Sequence, residues 1–183
     1  MAEQNTNGGQ LQVLSQLIQV RYDKLHELQA NGKDPFAITK YDVTHHSMDI
    51  KDNFDALEGQ EASLAGRMML KRVMGKASFC NIQDVKGNIQ VYVARDEIGE
   101  ESYKDFKKYD VGDILGVKGK VFKTQKGEIS IHAEEVILLS KSLQILPEKF
   151  HGLTDTDTRY RQRYGDLIMN EEVKDTIIKR SKV

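Results

Sequence analysis

The 183-residue sequence predicts a mainly β protein with helical flanks, built on a small barrel of five strands. Three observations predict it. Five short runs of apolar alternation lie between Leu64 and Leu139, the period-2 signature of strands with one buried face. One charged, helix-compatible segment, Asp96–Tyr109, separates the third run from the fourth. Glycines stand at 66, 75, 112, 116 and 119, where the strands of a small barrel bend or approach closely. The order β-β-β-α-β-β with these glycines is that of a five-stranded OB-fold barrel.

The elements follow in order. Gln10–Asn31 is helical, with Leu11, Leu14, Ile18, Leu25 and Leu28 at three- and four-residue steps and Arg21 interrupting the series. Asn31-Gly32 supplies its C-cap and Asp34-Pro35 stops it. Residues 33–56 read as a linker that becomes a short helix near Asp49–Phe54. The strands are Leu64–Val73, Ala77–Asp84, Ile89–Ala94, Asp113–Lys123 and Glu128–Leu139. The second and third turn at Val85-Lys86-Gly87-Asn88, the last two across Thr124-Gln125-Lys126-Gly127. After Pro147, Thr154–Ile168 reads as a helical connector, and Asn170 as the N-cap of a helix carrying Val173, Ile177 and Ile178. That helix runs to Val183 without cap or breaker, so the chain is expected to be the front piece of a longer protein. The expected organisation is helix and linker over 1–56, the barrel over 57–143, and a connector over 144–183.

Composition excludes several classes. With 27 basic against 28 acidic residues and a net charge of −1, the chain is neither a basic nucleic-acid coat nor an acidic tail. No apolar run approaches the roughly 18 residues of a membrane span, and Met1–Gln10 is polar with no signal-peptide core. A soluble, cytoplasmic chain with no membrane partner is expected. One cysteine makes neither an internal disulfide nor a multi-cysteine zinc site. Residues 60–133 hold 13 basic and 10 acidic side chains, so the middle is mildly basic and the remainder acidic.

Strand parity singles out candidate binding residues. In Ala77–Asp84, Ser78, Cys80 and Ile82 share one face, while Phe79, Asn81 and Gln83 share the other. In Ile89–Ala94, Ile89, Val91 and Val93 oppose Gln90, Tyr92 and Ala94. A hairpin turning at Lys86-Gly87 pairs 82 with 91 and 80 with 93, which puts the apolar faces together inside the barrel. Phe79 then stands outside among Asn81, Gln83, Gln90 and Tyr92, as an aromatic that stacks a splayed base does. The same aromatics could instead be packing surface for the N-terminal helix. Arg67, Lys71, Arg72 and Lys76 near the first turn, and Lys118, Lys120, Lys123 and Lys126 along the fourth strand and its loop, flank the face and offer cations to phosphates. Arg21 and Lys24 offer others on the helix, beside Asp23 and Glu27.

Other candidates are weaker. His45-His46 with Asp49 lacks a paired ligand spacing and reads as surface histidines. Cys80 falls on the interior face without a base nearby and reads as core. Val73-Met74-Gly75-Lys76-Ala77 lacks the leading Gly and final Ser/Thr of a phosphate loop. No catalytic centre is legible, and no cofactor is expected on this chain.

Several stretches resemble bacterial class II lysyl-tRNA synthetases: Ala65-Gly66-Arg67-Met68-Met69, Met74-Gly75-Lys76-Ala77-Ser78-Phe79, the run from Ile89 to Asp96, and the run from Lys126 to Ile131. The likeness continues through Leu146–Leu153 and Arg159-Tyr160-Arg161-Gln162-Arg163-Tyr164. The aspartyl and asparaginyl enzymes share the barrel, but the last two stretches favour the lysyl member. The resemblance implies an anticodon-binding barrel ahead of a catalytic domain. It implies that Phe79 stacks the central anticodon uridine, that Gln90 and Arg72 read its edge, and that Glu128 contacts a neighbouring base. For the longer enzyme it implies a lysine–tRNA ligase, ATP and Mg2+ as cofactors, tRNA(Lys) as partner, and a homodimer whose interface the helix after Asn170 leads into. Gly165 departs from the pattern, which has a larger apolar residue there. Two rival readings remain: a general single-strand-binding OB module, and a free-standing truncated paralogue acting in dimerisation or regulation.

Overall fold

The computed structural model describes residues 4–146 and 156–183, with side chains from Val13 onward. Most of the Leu146–Leu153 stretch and the start of the expected connector lie outside these residues. The chain divides into two compact units, Met1–Gln144 and Ile145–Val183.

The first unit is a closed barrel. Its strands are β1 (Glu61–Met74), β2 (Ala77–Gln83), β3 (Asn88–Ala94), β4 (Ile114–Lys123) and β5 (Ile129–Ser140). They close in the order β1-β2-β3-β5-β4, with β3 and β5 parallel and every other pair antiparallel. Long β1 serves both sides, pairing β4 through its first half and β2 through its second. Closure brings backbones very near each other at Gly119, where a Cβ would lie 2.0 Å from the His132 carbonyl oxygen. Glycine is there because no side chain fits.

The expected interior is the observed core. Cys80, Ile82, Ile89, Val91 and Val93 are buried, together with Leu64, Met68, Leu115, Val117 and Ile131. The segment predicted as one helix is two, α4 (Arg95–Ile98) and α5 (Glu100–Lys108), broken at Gly99 with φ +87°. Tyr103 and Phe106 of α5 are fully buried in the core, worth about 1.5–3 kcal/mol for an aromatic such as Phe106. The Tyr103 hydroxyl lies 2.8 Å from the Ser78 hydroxyl and donates to the Gly75 carbonyl at 3.0 Å. Lys71 donates to the carbonyls of Lys107 and Tyr109, so an ammonium satisfies the open end of α5.

The hairpin register differs from expectation by two residues. Ile82 pairs with Ile89 and Cys80 with Val91, because the turn spans Asp84–Gly87 rather than Val85–Asn88. The Asp84 carboxylate sets it, accepting from the backbone N–H groups of Lys86 (2.8 Å) and Gly87 (2.9 Å). The shift is even, so both faces keep their residues.

Two short helices, α2 (Ser47–Asp52) and α3 (Phe54–Leu57), occupy the linker, and Ile50 of α2 joins the core. The N-terminal helix, α1, runs from Gln4 to Ala30 and buries Leu25, with Leu28 packed against the core. Arg21, which breaks its apolar stripe, donates to the carbonyls of Ser142 (2.9 Å), Gln144 (2.8 Å) and Val111 (3.1 Å). Lys24 pairs with Asp110 at 2.7 Å. Beneath them Lys141, 1% exposed, bridges Asp110 (2.6 Å) and Asp113 (2.8 Å). Arg21 and Lys24 are therefore anchors of α1.

The second unit holds α6 (Thr156–Arg161), α7 (Arg163–Met169) and α8 (Glu171–Lys182). Buried Asp166 gathers Arg159 (3.0 Å), Arg163 (3.2 Å) and the Asn170 amide. Asn170 occupies the N-cap position of α8 as expected, but its side chain ties to Asp166 instead of capping. Gly165 is buried within α7.

Candidate nucleic-acid interface

The outer faces of β1, β2, β3 and β5 form two cross-strand rows. One runs Arg72–Phe79–Tyr92–His132 and the other Leu70–Asn81–Gln90–Ser130, each step a paired position in adjacent strands. Side chains at paired positions lie about 4.5–5.5 Å apart at Cβ, so each row is a continuous surface. A groove of about 680 Å³ lies over them, walled by Leu70, Met74, Phe79, Tyr92 and Phe122 and reached by Arg72, Asn81, Gln90 and Glu128. All four residues expected from the resemblance, Arg72, Phe79, Gln90 and Glu128, line this one groove. Among the described residues, none of α1 lines it, and the α1 side chains from Val13 onward do not cover these aromatics.

Arg72 reaches this face through a feature that plain alternation misses. Between Met68 and Leu70 the β1–β2 register slips, leaving Met69 as an extra residue in β1. Met68 points into the core, and straight alternation from it would turn Arg72 inward as well. The bulge instead puts Lys71 opposite interior Cys80 and Arg72 opposite Phe79. Burial pulls the Lys71 amine below its usual range, while Arg72 stays exposed.

The aromatic wall is a cluster. Phe79 and Tyr92 have ring centroids 5.0 Å apart and tilted by 50°. Tyr92 meets His132 at 5.1 Å and Phe122 at 6.3 Å, both edge-on. Phe122 and His132 were not singled out from the sequence. The parallel β3–β5 pairing sets His132 beside Tyr92, and the antiparallel β4–β5 pairing brings in Phe122.

Polar groups in the groove divide into fixed and free. The Ser130 hydroxyl lies between two acceptors, 3.0 Å from Gln90 Oε1 and 3.2 Å from the Glu128 carbonyl oxygen. The Glu128 carboxylate lies 3.9 Å from Lys51 of α2, and its backbone N–H donates to Thr124 Oγ1 at 3.0 Å. Among the described residues, Arg72, Asn81 and Lys126 have no side-chain hydrogen-bond or ion-pair partner. Not every cation expected to flank the face is available. Arg67 donates to the Gly112 carbonyl at 2.7 Å, Lys118 pairs with Glu61 at 3.0 Å, and Lys120 pairs with Glu134 at 3.2 Å.

The weaker candidates have structural roles. Cys80 is buried and burial pushes its thiol up to about 12, which leaves no thiolate at neutral pH. His46 heads α2, and Asp49 pairs with Lys86 at 2.7 Å. Burial would raise the Asp84 carboxyl, but hydrogen bonds from Ser47, Lys86 and Gly87 outweigh it and hold it below the usual range. Among the described residues no group of three or more His, Cys, Asp or Glu is placed to hold a metal ion. No helix there is long and apolar enough to cross a membrane.

A five-stranded barrel with an aromatic, cation-fringed outer groove defines an OB-fold nucleic-acid-binding domain. Residues 62–139 match the family described as the OB-fold nucleic acid binding domain, and the barrel belongs to it. Beyond the barrel, the chain is related to the lysine–tRNA ligases. It is 54% identical over 172 residues to the lysine–tRNA ligase of Clostridium tetani (strain Massachusetts / E88), covering 94% of this chain and 34% of that protein. It is 53% identical over 169 residues to that of Clostridium botulinum (strain Langeland / NCTC 10281 / Type F), covering 92% and 34%. It is 53% identical over 167 residues to that of Clostridium novyi (strain NT), covering 91% and 33%. The chain spans about a third of the length of these curated relatives.

Proposed function

We propose that the groove reads the anticodon of a lysine-accepting tRNA, with a U-rich anticodon loop as ligand. The observation that carries this reading is that Arg72, Phe79, Gln90 and Glu128, far apart in sequence, line one groove beside an aromatic wall. Phe79 stacks the central uridine, worth about 1–3 kcal/mol. Gln90 and Arg72 address its edge, and Glu128 accepts from an N–H of a neighbouring base. Lys126 at the rim tracks phosphate.

In this reading residues 57–143 are the anticodon domain, 1–56 its buttress, and 144–183 the connector into a catalytic domain. The parent protein is a cytoplasmic, homodimeric lysine–tRNA ligase that uses ATP and Mg2+ in that domain. The test is fluorescence anisotropy of the 183-residue chain with an anticodon stem-loop carrying UUU. It is repeated with the central U changed to C, at two salt concentrations, and with Phe79→Ala. Binding selective for U and lost with Phe79→Ala is expected. Equal, purely salt-driven binding to both loops would overturn the edge-reading roles and favour a general single-strand-binding module.

A further inference from the structure

The groove is wider than one base. Phe79 stands on β2 and Glu128 at the start of β5, on opposite sides of β3. Glu128 is also four residues along from His132, which shares a row with Phe79. Two strand spacings across and four residues along separate them by roughly 16 Å measured along the sheet. A pyrimidine lying flat on Phe79 does not reach that far. Two base positions are therefore needed, and the neighbouring base that Glu128 meets has as yet no ring to stack on.

Phe122 is placed to supply it. The row Leu70–Asn81–Gln90–Ser130 continues onto β4, where Ser130 pairs with Phe122. Val121 and Ile131 beside this pair are buried in the core, so alternation turns Phe122 outward. Phe122 is half-buried and lines the groove at the same end as Lys126 and Glu128. Its ring neighbours Tyr92 and His132 meet it at 65° and 52°, so neither lies flat on its face. Phe79 has the same surroundings, with Tyr92 tilted at 50° beside it. Tyr92 touches both phenylalanines, 5.0 Å from one ring and 6.3 Å from the other, and spaces them apart. Each end of the groove thus holds a phenylalanine and a polar group: Phe79 with Arg72 and Gln90, Phe122 with Glu128.

We infer that Phe122 is a second stacking platform: it carries the base next to the central uridine, with Glu128 at that base's edge. This rests on the anticodon reading proposed above. Stacking tolerates any base, because every base has a π-face. Phe122 therefore adds affinity and fixes the spacing of the two bases, while selection at the second position falls to Glu128. Two platforms held apart by Tyr92 suit a loop whose successive bases are splayed, as single-stranded RNA allows.

The test uses the same chain with UUU and UCU stem-loops, and with UUU stem-loops from which the first, second or third anticodon base is removed in turn. Wild type should lose about 5- to 150-fold in Kd when the central base is removed, and again when one neighbour is. Phe122→Ala should weaken UUU binding within the same range and erase the loss from removing that neighbour. It should keep the loss at the central position and the U-over-C ratio. Phe122→Tyr retains the ring and should match wild type. A thermal melt of each variant reports folding, and Phe122→Leu, which keeps apolar bulk beside Tyr92, takes the place of alanine if alanine unfolds. A neighbour loss as large in the ring-less variant as in wild type overturns the inference while the anticodon reading stands. So does a reduced U-over-C ratio, which would make Phe122 a support for Phe79, and so does a tyrosine variant that binds like alanine. Wild-type protein indifferent to every base removal, with no preference for U, overturns both.

Discussion

Two polar regions of the first unit make opposite use of their side chains. Around Lys141, every cation is matched: Arg21 donates to three carbonyls, Lys24 meets Asp110, and Lys141 meets Asp110 and Asp113. In the groove, Arg72, Asn81, Lys126 and the Gln90 nitrogen have no protein partner among the described residues. Both regions lie beside the same barrel and carry similar residue types. The difference is satisfaction: a saturated network holds α1 in place, while unspent donors and acceptors against an aromatic wall await a ligand. Residue type alone does not separate them, since Arg21 and Arg72 look alike in sequence.

The comparison predicts that the clamp controls stability and the groove controls binding. The largest effect belongs to Lys141→Ala, which leaves Asp113 buried without its cation. A loss of about 3–5 kcal/mol is expected, a melting midpoint lower by roughly 6–20 °C. The U-over-C ratio of the surviving folded protein should not change. A changed ratio would mean that the two regions are coupled.

Next is Phe79→Ala. Removing the ring should cost loop binding about 1–3 kcal/mol, roughly 5- to 150-fold in Kd, with a much smaller change in melting. A midpoint falling as far as with Lys141→Ala would make Phe79 structural and break the contrast.

The clamp should also show itself in acid. Burial raises the Asp110 carboxyl, but hydrogen bonds from Lys141 and Lys24 and their charges outweigh it, so its folded-state value is lowered. A lowered folded pKa contributes stability above the unfolded value of about 3.9, and this is lost as the pH falls through the folded value. Urea melts should be flat above about pH 5 and fall below about pH 4. Asp110→Asn should lower the plateau and shallow the acid limb. An unchanged limb would remove Asp110 from the account.

Much of this was legible in the sequence because it rests on local period. The five strands, the interior of β2 and β3 and the outward Phe79 follow from alternation, which even the two-residue shift in the hairpin could not disturb. What escaped depends on partners distant in sequence. The Met69 bulge decides whether Arg72 or Lys71 faces the groove, and it shows only when β1 is paired with β2. His132 and Phe122 join the wall through the parallel β3–β5 pairing and its neighbour β4. Arg21 read as a break in an apolar stripe because its carbonyl partners lie at 111, 142 and 144.

The smallest expected effect refines the groove side of the contrast. Lys126 is exposed at the rim of the groove and has no ion-pair partner among the described residues, whereas Lys118, on β4, is paired with Glu61. If free cations track the phosphates, Lys126→Ala should weaken UUU and UCU loops alike and reduce the slope of log K against log salt by about 0.7. Lys118→Ala should leave the slope unchanged, because its charge is already answered within the barrel. Anisotropy titrations at four or five salt concentrations measure both. Equal slope changes for the two lysines would mean that the loop senses the general field of the barrel, and that unpaired polar groups locate the base site but not the phosphate path.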